Sequence, residues 1–278
     1  MSSGSTTVTG DRSAGPAARR TGGELIRHWR RHRRLSQLEL SVEVAVSTRH
    51  LSFIETGRAV PSRDMVLRLA EHLDVPLRER NRMLLAAGHA PEYHESRLDA
   101  PELDPMPAVL RQILVGHGPY PAVIVDRAWN IVDATPSIAM FVEGVAPELL
   151  TEPLNAYRVS LHPRGLAPRI VNLPQWRAHL LHRLRRQVAI TGDPLTRELY
   201  DEVSGYPGGL DDEPPPGAGP GAPAITMGIR HGGEVLSFVS TVATFGTAVD
   251  ITVAELSIES FYPADKHTGR LLREWFGD

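Results

Sequence analysis

Between Ser36 and Gly57 the sequence reads SQLELSVEVAVSTRHLSFIETG, and its spacing leaves few choices of fold. Ser36 is placed to cap a helix, because its hydroxyl can accept from the unpaired amides of a first turn. Glu39, three residues on, can close a capping box. Leu40 and Val44 lie one turn apart and would bury one side of that helix. Val46 then plugs a tight turn, Ser47 caps a second helix, and Leu51 and Ile54 form its inner face. Thr48, Arg49, His50 and Ser52 are left pointing outward near the start of the second helix. Side chains of this kind, so presented, can read base edges in a major groove.

The stretch resembles the helix-turn-helix of the Cro/phage-repressor (XRE) family. Ser36-Gln37, Leu40, Val46-Ser47, Leu51-Ser52 and Ile54-Glu55 with Gly57-Arg58 carry the match. Two positions depart from the family pattern, which often has Ala in place of Ser41 and Gly in place of Ala45. An alanine at positive φ costs roughly 1 kcal/mol, so the turn is expected to be strained or reshaped. The resemblance implies double-stranded DNA as partner, contacted through Gln37, Ser47, Thr48, Arg49, His50, Ser52 and Arg58. It also implies a structural pair between Arg30 and Glu55. Phe53 falls outside the Leu51–Ile54 face; it could touch a thymine methyl, but packing on the following helix is expected, since such aromatics usually bury.

Charge separates this segment from the rest. Residues 19–68 hold eleven arginines, no lysine and five acids, a net +6; the chain as a whole carries −3, which leaves −9 elsewhere. A basic segment on an acidic body suits a polyanion at one surface and something else at another. The 278 residues suffice for two domains. No apolar run reaches the ~18–20 residues that span a bilayer, and residues 1–20 lack the apolar core of a secretory signal. No membrane partner is expected. The chain has no cysteine, which excludes disulfides, thiol catalysis and thiolate metal sites and fits a cytoplasmic protein, one that DNA binding would associate with the nucleoid.

In chain order, residues 1–21 read as a disordered arm and 22–90 as an all-α DNA-binding bundle of five helices. Its first helix is expected over Gly23–Leu35, the fourth starts from the cap at Ser62, and the fifth, Arg78–Ala87, stops at Gly88. Residues 91–107, rich in proline and acids, read as a linker. His89 and His94 lie near Glu92 and Glu95 but offer no rigid ligand pair, and no metal is expected. The second domain, 108–278, starts with a helix at Ala108–Val115. A strand Ala122–Val125, a turn at Asp126-Arg127, a strand Trp129–Asp133 and a helix Pro136–Phe141 follow. Alone, this hairpin fits any α+β domain that opens with one; it also resembles the opening of a PAS-type sensor. Pro174 suits a helix start. Trp176, Leu180, Leu181, Leu184 and Val188 form that helix's apolar stripe, with Arg183, Arg185 and Arg186 outside. Another helix is expected at Thr196–Val203. Residues 205–224 read as a flexible Gly/Pro-rich loop. Strands are expected at Ile225–Arg230, Val235–Thr244 and Val249–Ile258, the last with Glu255, Ser257 and Glu259 on a wet face. A helix Asp265–Phe276 ends the chain.

Together, the repressor-like motif, the hairpin, the NLPQWRAHLL helix and the segment SFVSTVATFGTAVDITVAELSIESFYPAD resemble XRE-type regulators with an MmyB-like C-terminal ligand-binding domain. The resemblance implies a PAS-like α+β domain with an antiparallel sheet. It implies a small apolar effector, fatty-acid-like and non-covalently held, with no other cofactor. A PAS-like fold would put Trp129, Tyr157, Trp176, Leu180, Phe238 and Phe245 near a pocket between sheet and helices. Arg177 and His179, on the stripe's borders, are the candidates for a ligand carboxylate, since a buried anion needs a partner. A homodimer on a palindromic operator is expected.

Two other readings stay open at this point. One is a DNA-tethered protein-interaction module with no small-molecule ligand. The other is an enzyme carrying a helix-turn-helix, although no G-x-S-x-G elbow, P-loop or H-E-x-x-H motif is present and no catalytic residue is assigned.

Overall fold

Four hydroxyl caps define the helices at the N-terminal end. In the computed structural model, which describes residues 20–208 and 225–277, the backbone divides into two units between Glu92 and Tyr93. The first unit is all helix: α1 (Gly22–His32), α2 (Gln37–Glu43), α3 (Thr48–Glu55), α4 (Arg63–His72) and α5 (Leu77–Ala86). Thr21 and Glu24 close a capping box on α1, and Ser36 and Glu39 close one on α2, with Ser36 N donating to Glu39 Oε2 at 2.7 Å. Ser47 Oγ accepts from His50 N at 3.1 Å, and Ser62 Oγ from Met65 N at 3.3 Å. Each such cap contributes about 1 kcal/mol by satisfying an otherwise unpaired amide.

Ile26, Leu40, Leu51, Ile54, Leu69 and Leu84 meet in the centre of this unit. Gly23 lets α1 lie against the end of α3: a Cβ there would come within 2.0 Å of the Ile54 carbonyl oxygen. The α2–α3 turn is built on Ala45 at φ +53°, so alanine does adopt the conformation for which glycine is the usual choice. The first helix ends earlier than expected, at His32, because Arg34 turns to φ +59°. Thr21, assigned to the arm, is instead the α1 cap; residues 1–19 lie outside the described residues.

The second unit is α+β. Its helices are α6 (Met106–Val115), α7 (Ala139–Val142), α8 (Ala156–Leu161), α9 (Leu173–Thr191), α10 (Pro194–Ser204), α11 (Ile251–Ala254) and α12 (Lys266–Phe276). Its strands β1 (Ala122–Val125), β2 (Ile131–Ala134), β3 (Thr226–His231), β4 (Glu234–Thr244) and β5 (Ser257–Pro263) form one antiparallel sheet in the order β2-β1-β5-β4-β3. Side chains alternate across the sheet. Val123 and Val125 face a large core shared with α8 and α9, while Ala122 and Ile124 face a smaller cluster with Leu110 and Leu114 of α6.

Four expectations need correction here. Val249–Ile258 is not one strand: Asp250 caps the short helix α11, accepting from Thr252 N at 2.8 Å, and β5 begins only at Ser257. Glu259 is consequently not on a wet face. β5 sits between β1 and β4 with both faces covered, and Glu259 is 4% exposed. The stretch read as linker is also held down beyond Glu92. Ile251 N donates to His94 O at 2.8 Å, Thr252 Oγ1 to Ser96 O at 2.6 Å, and Leu98 packs on the α6-side cluster. Trp129, expected within the second strand, stands in the hairpin turn at φ +66°. Of the Gly/Pro-rich loop, residues 209–224 lie outside the described residues.

Candidate functional site

Two places gather functional side chains, one in each unit. In the first, Glu55 is buried at the end of α3 and takes three donors. Arg30 Nε reaches Oε1 at 2.6 Å, Arg30 Nη2 reaches Oε2 at 2.8 Å, and Gln37 Nε2 reaches Oε2 at 2.8 Å. The bond to Glu55 holds the Arg30 guanidinium above its usual pKa, against the effect of burial. A bidentate, hydrogen-bonded pair of this kind meets the geometric demand that burial of charge imposes.

This separates the predicted DNA contacts into two sets. Gln37 has its side-chain amide on Glu55. The Ser47 hydroxyl caps α3, and Thr48 Oγ1 lies 2.9 Å from Ser41 Oγ. These three hold the motif together through their side chains. Arg49, His50 and Arg58 are exposed, and Ser52 is half-buried on the same helix. Phe53, expected to pack on the following helix, instead lies under two guanidiniums: Arg49 at 5.3 Å and Arg58 at 5.9 Å from its ring centre. Its carbonyl also accepts from Arg58 N at 2.8 Å and Ala59 N at 3.1 Å, so one residue fixes both ends of the basic face. The Arg49–Phe53 spacing of four residues was a readable signal; the approach of Arg58 depends on the turn at Gly57, φ +73°.

The second place is a cavity of about 60 Å³ between the sheet and helices α8 and α9. Its walls are mostly apolar, with Val123, Phe141, Leu166, Trp176, Leu180 and Phe261 among them. At this volume it has room for roughly a few waters, so a longer molecule must part the walls. Four polar side chains reach the lining: Tyr157, Ser160, Arg183 and Glu259. Arg183 Nη1 donates to Glu259 Oε1 at 2.7 Å, Nη2 to Oε2 at 3.2 Å, and Nε to the Tyr157 hydroxyl at 2.9 Å. The guanidinium also lies 4.4 Å from the Trp129 ring centre, and Trp129 meets Tyr157 edge-on at 4.9 Å. Burial opposes the charge on Arg183, but the adjacent Glu259 and the Tyr157 oxygen outweigh it and raise its pKa. Burial pushes the Tyr157 hydroxyl up to about 12. Burial, helped by Arg183, lowers the pKa of His179.

Tyr157, Trp176 and Leu180 are brought together on the cavity wall as expected from the stripe. Trp129 stands behind Tyr157 and Arg183, and Phe238 lies deeper in the core, edge-on to Phe141 at 5.4 Å. His179 packs against Trp176 at 5.4 Å without reaching the lining. Two candidates are misplaced. Arg177 points to the end of α10, donating to Val203 O at 3.1 Å and Ser204 O at 2.9 Å; one residue after Trp176 is about 100° round the helix. Phe245 packs with the α6-side cluster, on the other face of the sheet. The arginine that does face the cavity is Arg183, three residues after Leu180 and so on its side of α9. Reading it as an outside charge missed it.

Residues 23–83 match the model of a helix-turn-helix domain, and residues 106–274, more than half the chain, match that of the MmyB-like transcription regulator ligand binding domain. The chain belongs to the MmyB-like transcription regulators. As a member of that family it is a DNA-binding transcription regulator with a ligand-binding domain. No curated protein matches this MmyB-like regulator. Among solved structures, that of an RNA-binding light-oxygen-voltage receptor is similar at 14% identity, covering 91% of the MmyB-like chain and 60% of the receptor's, with a TM-score of 0.23. The regulator thus spans 60% of that receptor's length.

Among the described residues, the regulator has no group of three or more His, Asp or Glu that could hold a metal ion. None of its described helices is long and apolar enough to cross a membrane.

Proposed function

We propose that this regulator binds a specific DNA operator through the Arg49–His50–Ser52 face of α3 and couples that binding to an apolar effector in the second-unit cavity. The observation that carries the reading is the division of labour within the motif. The Gln37, Ser47 and Thr48 side chains are engaged in hydrogen bonds within the motif, while Arg49 and Arg58 stand exposed over a common aromatic ring. Arg49 and His50 would reach base edges, and Arg58 with the backbone amide of Gln37 would clamp phosphates. Motifs of this type act in pairs on half-sites about 34 Å apart, so a homodimer on a palindromic site is part of the proposal.

The effector half of the reading is supported by a mostly apolar cavity whose lining includes a few polar groups. To act as a switch, the effector must prefer one arrangement of the protein over another.

The test of the DNA half is selection of bound duplexes from a random pool by the full chain, followed by titration of the selected site. Wild type should prefer that site over scrambled DNA. Arg49→Ala should lose ~1–3 kcal/mol and relax the preference at the contacted base. Equal affinity of both proteins for selected and scrambled DNA would remove α3 from the reading role.

A further inference from the structure

The polar end of the cavity says more about the effector than its apolar walls do. Arg183 and Glu259 bind each other through two hydrogen bonds, so the charged groups on the lining sum to zero before any ligand arrives. The third arginine contact, Nε, goes to the Tyr157 oxygen. That oxygen accepts, so its own O–H remains to donate. Ser160 is in the same state: its oxygen accepts from Trp176 Nε1 at 3.2 Å, which leaves its hydroxyl proton. The lining thus presents two hydroxyl donors beside a guanidinium that already has its carboxylate.

A ligand carboxylate entering this end would set two carboxylates against one guanidinium. Either one of them takes up a proton or Glu259 is left charged without its partner, and both outcomes are costly in a buried site. A neutral acceptor, such as the oxygen of an alcohol, ester or amide, can take the Tyr157 or Ser160 proton and leave the ion pair intact. The remaining titratable groups near the pair do not change this balance. His179, held low by burial and by Arg183, and the exposed His182 both lie on α9. Beyond Tyr157, Arg183 and Glu259 the cavity lining holds no titratable side chain among the described residues; from β1, β2 and α7 it has Val123, Ile131 and Phe141, and β4 sets Val242 beside Glu259.

We infer that the cavity selects an uncharged amphiphile, an apolar chain ending in a neutral hydrogen-bond acceptor, over the carboxylate of the same chain. This inference rests on the cavity being the effector site, and it replaces the fatty-acid expectation with a neutral head group.

The experiment is calorimetric titration of the full chain at pH 7.5 with 1-decanol and with decanoate, each below its aggregation concentration. Both probes carry the same number of carbons, so the cost of parting the walls is common and drops out of their ratio. Decanol should bind at least about tenfold tighter. Any decanoate binding should take up a proton, seen as a heat that depends on the buffer and an affinity that rises as pH falls. In Glu259→Gln the ratio of decanoate to decanol affinity should rise at least about tenfold. Decanoate binding as tightly as decanol, without proton uptake, overturns the inference and leaves the effector reading standing; the wild-type comparison decides this even if the variant does not fold. Failure of both probes to bind overturns the effector reading and this inference with it.

Discussion

Arg183 and Glu259 are 76 residues apart in sequence and meet at 2.7 Å inside an apolar cavity. The guanidinium is enclosed further by two aromatic faces, Trp129 and Tyr157. Breaking a pair of this kind from one side strands the other charge. Arg183→Met and Glu259→Leu should each destabilise the second unit by about 3 kcal/mol, and the double variant by clearly less than their sum. Urea denaturation of the four proteins checks this. Additive losses would mean that the two charges are not energetically coupled.

Tyr157 ties stability to alkaline pH. Its hydroxyl is held up to about 12 by burial, above the ~10 of an unfolded chain. The folded state therefore keeps the proton longer than the unfolded state does. The Tyr157 contribution is constant below pH ~10 and is lost as pH climbs towards 12, by roughly 1.4 kcal/mol per unit. Unfolding free energies at pH 9 and pH 11.5 should fall more steeply for wild type than for Tyr157→Phe. Parallel slopes would mean that the hydroxyl titrates normally.

Phe53 should matter to DNA without touching the hydrophobic core. Phe53→Leu removes the ring beneath Arg49 and Arg58 and should weaken binding to the selected site by about threefold to tenfold, with helical content unchanged. Combined with Arg49→Ala it should add less than its own effect, because both act on one contact. Fluorescence anisotropy with labelled duplex measures each loss. Full additivity would place Phe53 in a separate role.

Ala45 sits at φ +53° where glycine would be unstrained. Ala45→Gly should therefore raise the stability of the first unit, by up to about 1 kcal/mol, offset in part by the greater freedom of glycine in the unfolded chain. Gly57→Ala, at φ +73° with open space around it, should lower it by a similar ~1 kcal/mol. Thermal unfolding of the two variants should shift in opposite directions.

What could be read in advance was local. The caps at Ser36, Ser47 and Ser62 need only three residues of context, and each is present. The Trp176–Leu180 stripe needs one turn of helix, and both residues line the cavity. The Arg30–Glu55 pair came from resemblance, since its partners are 25 residues apart. Arg183 and Glu259 were assigned to solvent because hydropathy counts each charge alone. Burial becomes tolerable only when the opposite charge arrives from a distant strand, which no window of sequence contains. Phe245 failed for a related reason: it stands just past the end of β4, and a large apolar residue announces burial without saying which face of the sheet it joins. At Arg177, one residue of helical phase decided the error.

β5 is the innermost strand of the sheet, paired along both edges. Its residues Glu259 and Phe261 look into the cavity, while Ile258 supports the cluster beneath α6 on the reverse side. One strip of backbone is therefore the floor of the pocket and the ceiling of another compartment. Anything that swells the first must bend or tilt that shared partition and be registered in the second. The sheet is a party wall, and α6 rests on its far side.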